Sequence, residues 1–225
     1  MCQAQSYGFA VPFFLPERAQ AFYISFIYNK KLFYNGKTMP NLTLPTRAFE
    51  VVKRGIHLFH HGGFHMVGVD KIVKETEVTK MTFYNYFHSK ERFIEICLIV
   101  QKERLQDQVV AMVEYDHDTS TIDKLKKLYF LHTDLDGPYY LLFRAIFETK
   151  NTYSKAYKTA VRYRTWLTNE IYSQIRLLKN DVSFTDARLF LNMIESAIIQ
   201  LLGSDETHES EIVLEYFLRF LTSIK

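Results

Sequence analysis

Three groups of side chains in this 225-residue sequence have types and spacing that bear on chemistry. The first is His57, His60, His61 and His65. Imidazoles bind transition metals and move protons. These four, however, lack a nearby cysteine or a His-Glu-x-x-His pattern, and they straddle a helix end and a Gly-Gly turn. Solvated or phosphate-facing histidines are expected here, and no metal. The second group is Asp116, His117 and Asp118, at an inter-helix loop where a polar surface turn is the default. Cys2 and Cys97 are the two cysteines. They form no disulfide framework, which favours a reducing, cytoplasmic compartment. Cys97 lies on an apolar helix face and reads as inert core. There is no glycine-rich phosphate loop and no nucleophile motif. Neither an enzyme nor a cofactor is expected.

The third group lies between Thr79 and Lys90. Thr79 is a suitable N-cap for a short helix, and Val78, Phe83 and Phe87 supply its buried side. Lys80, Met81, Thr82, Tyr84, Asn85 and Tyr86 are then left to face outward. Such a face suits a DNA major groove. Amide and hydroxyl groups meet base edges, Met or a Thr methyl meets the thymine methyl, and Tyr hydroxyls reach phosphates. Ser89 can cap the next helix, and Lys90 in its first turn would make that N-terminus a phosphate site.

These residues need elements to hold them. A preceding helix over about 69–75 places Ile72 and Val73 inward, with Thr76-Glu77-Val78 as the turn, so that residues 69–86 form a helix-turn-helix. Upstream, Phe49, Val52, Ile56 and Phe59 recur at helical spacing as one buried face. Gly62-Gly63 ends that helix, because glycine accepts the left-handed C-cap conformation. Residues 1–42 are aromatic and apolar but interrupted by Pro12, Pro16, Gly36 and Pro40, and are expected to form a poorly ordered arm. Their charges break any run of the roughly 18–20 apolar residues that a spanning helix needs, so no membrane segment is expected.

Charge is distributed unevenly. The net formal charge is +3. Residues 94–225 hold sixteen Lys and Arg against nineteen acids, so the basic surplus lies in the N-terminal part. That asymmetry fits a chain whose one end meets a polyanion.

The string Val78-Thr-Lys-Met-Thr-Phe-Tyr-Asn-Tyr-Phe-His-Ser-Lys-Glu-Arg-Phe93 resembles the recognition helix of the tetracycline-repressor (TetR) family and the start of the helix after it. Gly62-Gly63-Phe64 resembles the family's turn after its first helix. The likeness covers about residues 46–93. It implies a DNA-binding domain over residues 43–93 and a helical regulatory and dimerisation domain over 94–225. It also places Lys80, Met81, Thr82, Asn85 and Tyr86 at bases or adjacent backbone, and Tyr84 and Lys90 at phosphates. Val69 opens the first helix of the motif where the family usually carries a hydroxyl, and Met81 stands where it often carries a small residue.

The remaining sequence reads as all-α. Ser120-x-x-Asp123 and Ser183-x-x-Asp186 resemble capping boxes. Gly137-Pro138 precedes a short helix to about Glu148, and residues from Tyr157 to Leu178 mark a long one. Helices over about 184–202 and 207–223 close the chain. The resemblance implies a pocket for a small-molecule effector. Tyr129, Tyr140, Phe143, Phe147, Tyr163 and Trp166 are its candidate lining, and Arg144, Arg162 and Arg164 could face an anion or form salt bridges. The last two helices are apolar over wide faces, and Phe190, Ile194, Ile198, Leu201, Phe217 and Leu221 are the candidate homodimer contacts. A two-fold dimer sets its recognition helices about 34–36 Å apart and reads a near-palindromic operator in double-stranded DNA. The expected function is thus a sequence-specific transcriptional regulator, a repressor released by its effector. The alternatives are a helical protein-interaction module that keeps the motif without binding DNA and, last, an enzyme.

Overall fold

The computed structural model describes residues 44–203 and 208–222, so the expectation for an N-terminal arm lies outside the described residues. Thr46 onward forms one compact unit. Its helices are α1 (Thr46–Gly62), α2 (Val69–Thr76), α3 (Lys80–Phe87), α4 (Lys90–Val110), α5 (Thr121–Thr133), α6 (Pro138–Glu148), α7 (Ser154–Leu178), α8 (Phe184–Gly203) and α9 (His208–Thr222). No strand occurs among the described residues. Nor is any described helix long and apolar enough to cross a membrane. α1 to α3 form a three-helix head. α4 leaves the head and runs into the body, where it packs on α7 and α6 as well as back on α1.

The local signals act where the sequence places them. Ser120 accepts the Asp123 amide at 3.1 Å and opens α5. At α8 the reciprocal bond forms, with the Ser183 amide donating to Asp186 at 2.7 Å. Each satisfies a helix-terminal or flanking amide that no carbonyl of the helix can reach. Gly63 closes α1 at φ 73°, its amide on the Phe59 carbonyl. The buried stripe of α1 is rotated from the expected one. Ala48, Val51, Val52, Gly55, Leu58 and Phe59 face inward, while Phe49 and Ile56 are only half-buried. Gly55 explains the shift. A Cβ there would stand 2.3 Å from the Phe93 ring, so α1 meets α4 backbone-first along this line.

α4 ends in a π turn, Ala111–Tyr115. Such a turn strains the helical ladder and is used sparingly. Two lysines of α5 hold this one. Lys124 donates to the Val113 carbonyl at 3.0 Å, and Lys127 reaches Asp116 at 2.8 Å. The Asp116-His117-Asp118 segment is thus a surface turn with one carboxylate engaged.

Two expectations for the body are corrected. Phe190, Ile194, Ile198 and Leu221 are buried inside the protomer, and Phe217 lies half-buried against the Phe190 ring. Leu201 is half-buried as well. Phe190, Ile194, Ile198 and Leu221 are therefore core, whereas the half-buried Phe217 also lines the groove between the two helices. The exposed large apolar residues of α8 and α9 are Phe184, Leu189, Ile199, Leu202, Ile212, Val213, Tyr216 and Phe220. Both helices are apolar on two sides, and α5 and α7 claim one of them.

The residues of the expected pocket lining do not share one environment in this structure. Tyr129, Phe143 and Tyr163 are packed core, and Phe147 is 66% exposed on the outer side of α6. Tyr140 is half-buried with its ring on His60, and Trp166 is half-buried beside Tyr163. A groove of about 620 Å³ lies elsewhere, between the outer faces of α8 and α9, and is lined by Leu189, Met193, Ser196, Val213 and Tyr216 among others.

Candidate nucleic-acid interface

Five phenylalanines beneath the helix-turn-helix hold it in place. Phe59, Phe64, Phe83, Phe87 and Phe93 are fully buried. Their rings meet at 4.6 Å (Phe87 to Phe93), 5.0 Å (Phe83 to Phe93) and 5.2 Å (Phe59 to Phe64). Each buried ring contributes about 1.5–3 kcal/mol of apolar transfer energy. Edge and tilted geometries add to this. α3 is only eight residues long and is too short to stand alone, so this cluster is what fixes its direction.

The caps follow the sequence expectation. The Thr79 hydroxyl accepts the Thr82 amide at 3.1 Å and opens α3. Ser89 accepts the Arg92 amide at 3.0 Å and opens α4. α2 extends one residue further than expected, through Thr76, whose hydroxyl donates to the Ile72 carbonyl. Glu77 then turns the chain in the left-handed region at φ 53°. Arg47 of α1, which the sequence reading did not single out, donates to the Thr76 and Glu77 carbonyls at 3.3 and 3.4 Å. Arg54 pairs with Glu75 at 2.5 Å. Two basic residues of α1 thus anchor the end of α2. Nothing local in the sequence marks them, because their partners lie more than twenty positions away.

With Phe83 and Phe87 inward, α3 presents Met81, Tyr84 and Asn85 to solvent, at 73% exposure for Met81 and 45% for Tyr84. Thr82 is half-buried and shares a hydrogen bond with Thr79 at 2.9 Å. Tyr86 is half-buried with its ring edge on Phe87. Val69 is half-buried at the start of α2. Lys80 differs from expectation. Its ammonium pairs with Asp70 of α2 at 2.6 Å, and this partner raises its pKa. The pair is exposed, and such pairs are weak.

Lys90 differs more. It is half-buried, with Nζ 3.4 Å from the His65 carbonyl and 5.7 Å from the centre of the Tyr153 ring. It points into the joint between head and body. The histidines are dispersed. His57 and His61 meet edge to face at 4.5 Å, His60 packs on Tyr140, and His65 donates to the Glu148 carbonyl at 2.6 Å. Burial and the neighbouring His61 lower the pKa of His60. Among the described residues no group of three His, Cys, Asp or Glu side chains is placed to hold a metal. Cys97 is buried with its thiol on the Val52 carbonyl, and burial pushes its pKa up.

The body holds a polar cluster away from this surface. His132 is fully buried. Its Nδ1–H donates to the Leu128 carbonyl at 2.6 Å, which leaves Nε2 to accept the Tyr163 hydroxyl at 2.7 Å. Desolvation lowers its pKa to about 4. Nearby, Arg164 grips Glu195 with two bonds of 2.6 and 2.8 Å, and Tyr139 donates to the same carboxylate at 3.4 Å. Arg164 thus has an internal partner.

Residues 51–96 match the family model described as bacterial regulatory proteins, tetR family. Among curated proteins none matches the chain. Solved structures with the same fold include a TetR-family transcriptional regulator from Cytophaga hutchinsonii, with a TM-score of 0.69, 17% identity, and coverage of 80% of this chain and 94% of that one. A TetR-family regulator from Streptomyces coelicolor superposes with a TM-score of 0.65 at 18% identity, covering 79% and 93%. FadR from Bacillus subtilis, solved in complex with stearoyl-CoA, does so with 0.58 at 16% identity, covering 78% and 98%. The head, over residues 51–96, thus matches the tetR family model, and the chain as a whole shares the fold of solved TetR-family regulators.

Proposed function

We propose that this protein is a sequence-specific DNA-binding transcriptional regulator that acts as a homodimer and releases its operator when a small molecule binds the body. The observation that carries the reading is the exposed Met81, Tyr84 and Asn85 face of α3, held by the buried phenylalanine cluster. Asn85 offers an amide to an adenine edge, Met81 an apolar contact to a thymine methyl, and Tyr84 a hydroxyl to phosphate. Lys80 joins them once it leaves Asp70.

The dimer face is the outer side of α8 and α9, where the groove of about 620 Å³ is lined by the exposed Leu189, Val213 and Tyr216. Such a patch on a soluble chain marks an interaction surface, and a two-fold four-helix bundle would bury it. The operator is then a near-palindrome. The effector enters the body near His132, Tyr163, Tyr139 and Glu195, where aromatic surface surrounds a few oriented polar groups. His132, Tyr139 and Tyr163 are buried here, so effector binding selects a more open body. The complex of FadR with stearoyl-CoA supports the idea that this fold accommodates a ligand.

The test is selection of duplexes from a random pool, followed by fluorescence anisotropy at two salt concentrations against a scrambled duplex. Sequence-selective, salt-sensitive binding with two protomers per site is the expected result. A folded dimer that enriches no duplex would favour the interaction-module reading.

A further inference from the structure

The end of α1 is completed from the body. The last carbonyls of a helix and the first amides after it have no partner within the helix. Here two of them are satisfied by α6, 84 positions away in sequence. Arg144 donates through Nη1 to the His60 carbonyl at 3.0 Å. Its positive charge also sits at the negative end of the α1 dipole. Glu148 accepts the Phe64 amide at 2.8 Å through Oε2. Its other oxygen pairs with the Arg144 Nε, which holds both side chains in one arrangement. Gly63 lies directly beneath them. A Cβ at that position would be 2.6 Å from the Arg144 guanidinium and 3.0 Å from the Glu148 carboxylate. Next to this pair, His65 donates to the Glu148 carbonyl, stacks on Tyr153 at 5.7 Å, and offers its own carbonyl to Lys90.

We infer that Arg144 and Glu148 are positioning residues for DNA reading: they set the turn from α1 to α2, and with it the tilt of the recognition helix, from a helix of the body. Neither side chain lies on the outward face of α3. Both are charge-assisted bonds to backbone groups, which are short, directional and about twice as strong as neutral ones. A shift of α6 by an ångström or two lengthens both bonds at once, because both originate within one turn of α6. The turn at Gly63 then loses its seat, and the head is free to rotate about the start of α2. α6 also packs on α4, α5 and α7, so any change of the body that moves α6 reaches the head through these two side chains.

This inference rests on the DNA-binding reading above, and its test separates the two. Full-length wild type, Glu148→Ala, Glu148→Gln and Arg144→Ala are compared on the selected operator and on operators with one base pair inserted or removed between the half-sites. Amide exchange at residues 62–66 and thermal melting are followed in parallel. A rigid pair of heads tolerates one spacing. Wild type should therefore lose about tenfold or more in affinity when the spacing changes, comparable to one mismatched base pair. Glu148→Ala and Arg144→Ala should weaken that discrimination to about threefold or less, with faster exchange at Phe64. Glu148→Gln keeps an acceptor for the Phe64 amide and should recover part of the discrimination. General destabilisation lowers affinity for all spacings alike and leaves the ratio unchanged, so an unchanged ratio in the alanine variants overturns the inference. If wild type itself selects no duplex, the DNA-binding reading fails, and this inference fails with it.

Discussion

Leu189 and Phe190 are neighbours in the chain, about 100° apart around α8, and face different surroundings. Leu189 is 50% exposed and lines the groove, whereas Phe190 is fully buried against Tyr129 and Phe217. Alanine at the two positions should therefore act on different equilibria. Full burial of a leucine side chain is worth about 1.5–3 kcal/mol, so covering the exposed half of Leu189 in a dimer contributes about 1 kcal/mol per protomer. A two-fold interface counts it twice, and about 2 kcal/mol corresponds to about a thirtyfold rise in the dimer dissociation constant. Leu189→Ala should show that rise by sedimentation velocity, with the far-UV spectrum of wild type. Phe190→Ala removes a core ring and should cost about 3–5 kcal/mol of folding stability. It should be read by urea denaturation at fixed protomer concentration, because dimer formation shifts apparent stability. If Leu189→Ala left the dissociation constant unchanged while Phe190→Ala split the dimer into folded protomers, the assignment of inner and outer faces would be refuted.

Other expectations follow from single features. Gly55→Ala places a methyl in the Phe93 ring, which is locked by three other phenylalanines. Overpacking of about 1–3 kcal/mol exceeds the gain of about 1 kcal/mol in helix propensity, so the melting temperature should fall. His132 has a folded pKa of about 4 against an ordinary value of 6.5. The unfolded chain therefore binds the extra proton between these values, and stability falls as pH drops through that window. The loss from pH 7 to pH 5 is about 2 kcal/mol. Paired urea titrations of wild type and His132→Gln should show the variant with a shallower pH slope, and equal slopes would refute the assignment. Asn85→Ala should relax discrimination at one operator position by about 1–3 kcal/mol, measured by competition with single-base variants. Lys90→Ala distinguishes two roles. A phosphate contact predicts a salt slope reduced by about one, whereas a role confined to the joint with Tyr153 leaves the slope intact.

Much of the head was legible in sequence because its signals are local. Thr79 and Ser89 cap the helices that follow them, Gly63 takes the left-handed turn, and Phe83 and Phe87 recur one helical turn apart. Each depends on neighbours within four residues, so spacing is enough to read it. The outward direction of Met81 and Asn85 follows from the same periodicity.

The tertiary structure decided what periodicity leaves open. α8 and α9 are apolar on two sides, and a helical repeat says that faces exist without saying which one the rest of the chain will take. α5 and α7 take the face of Phe190, Ile194 and Ile198, which leaves Leu189 and Tyr216 outside. Aromatic residues of the body at helical spacing read more readily as core than as pocket, and close packing made Tyr129 and Tyr163 core. Lys80 looked free until folding brought Asp70 to it. The joint built by Arg144 and Glu148 has no trace in local sequence, because its partners are backbone groups 84 positions away. A backbone carbonyl or amide carries no sequence signature, so only the fold can show which side chain completes it.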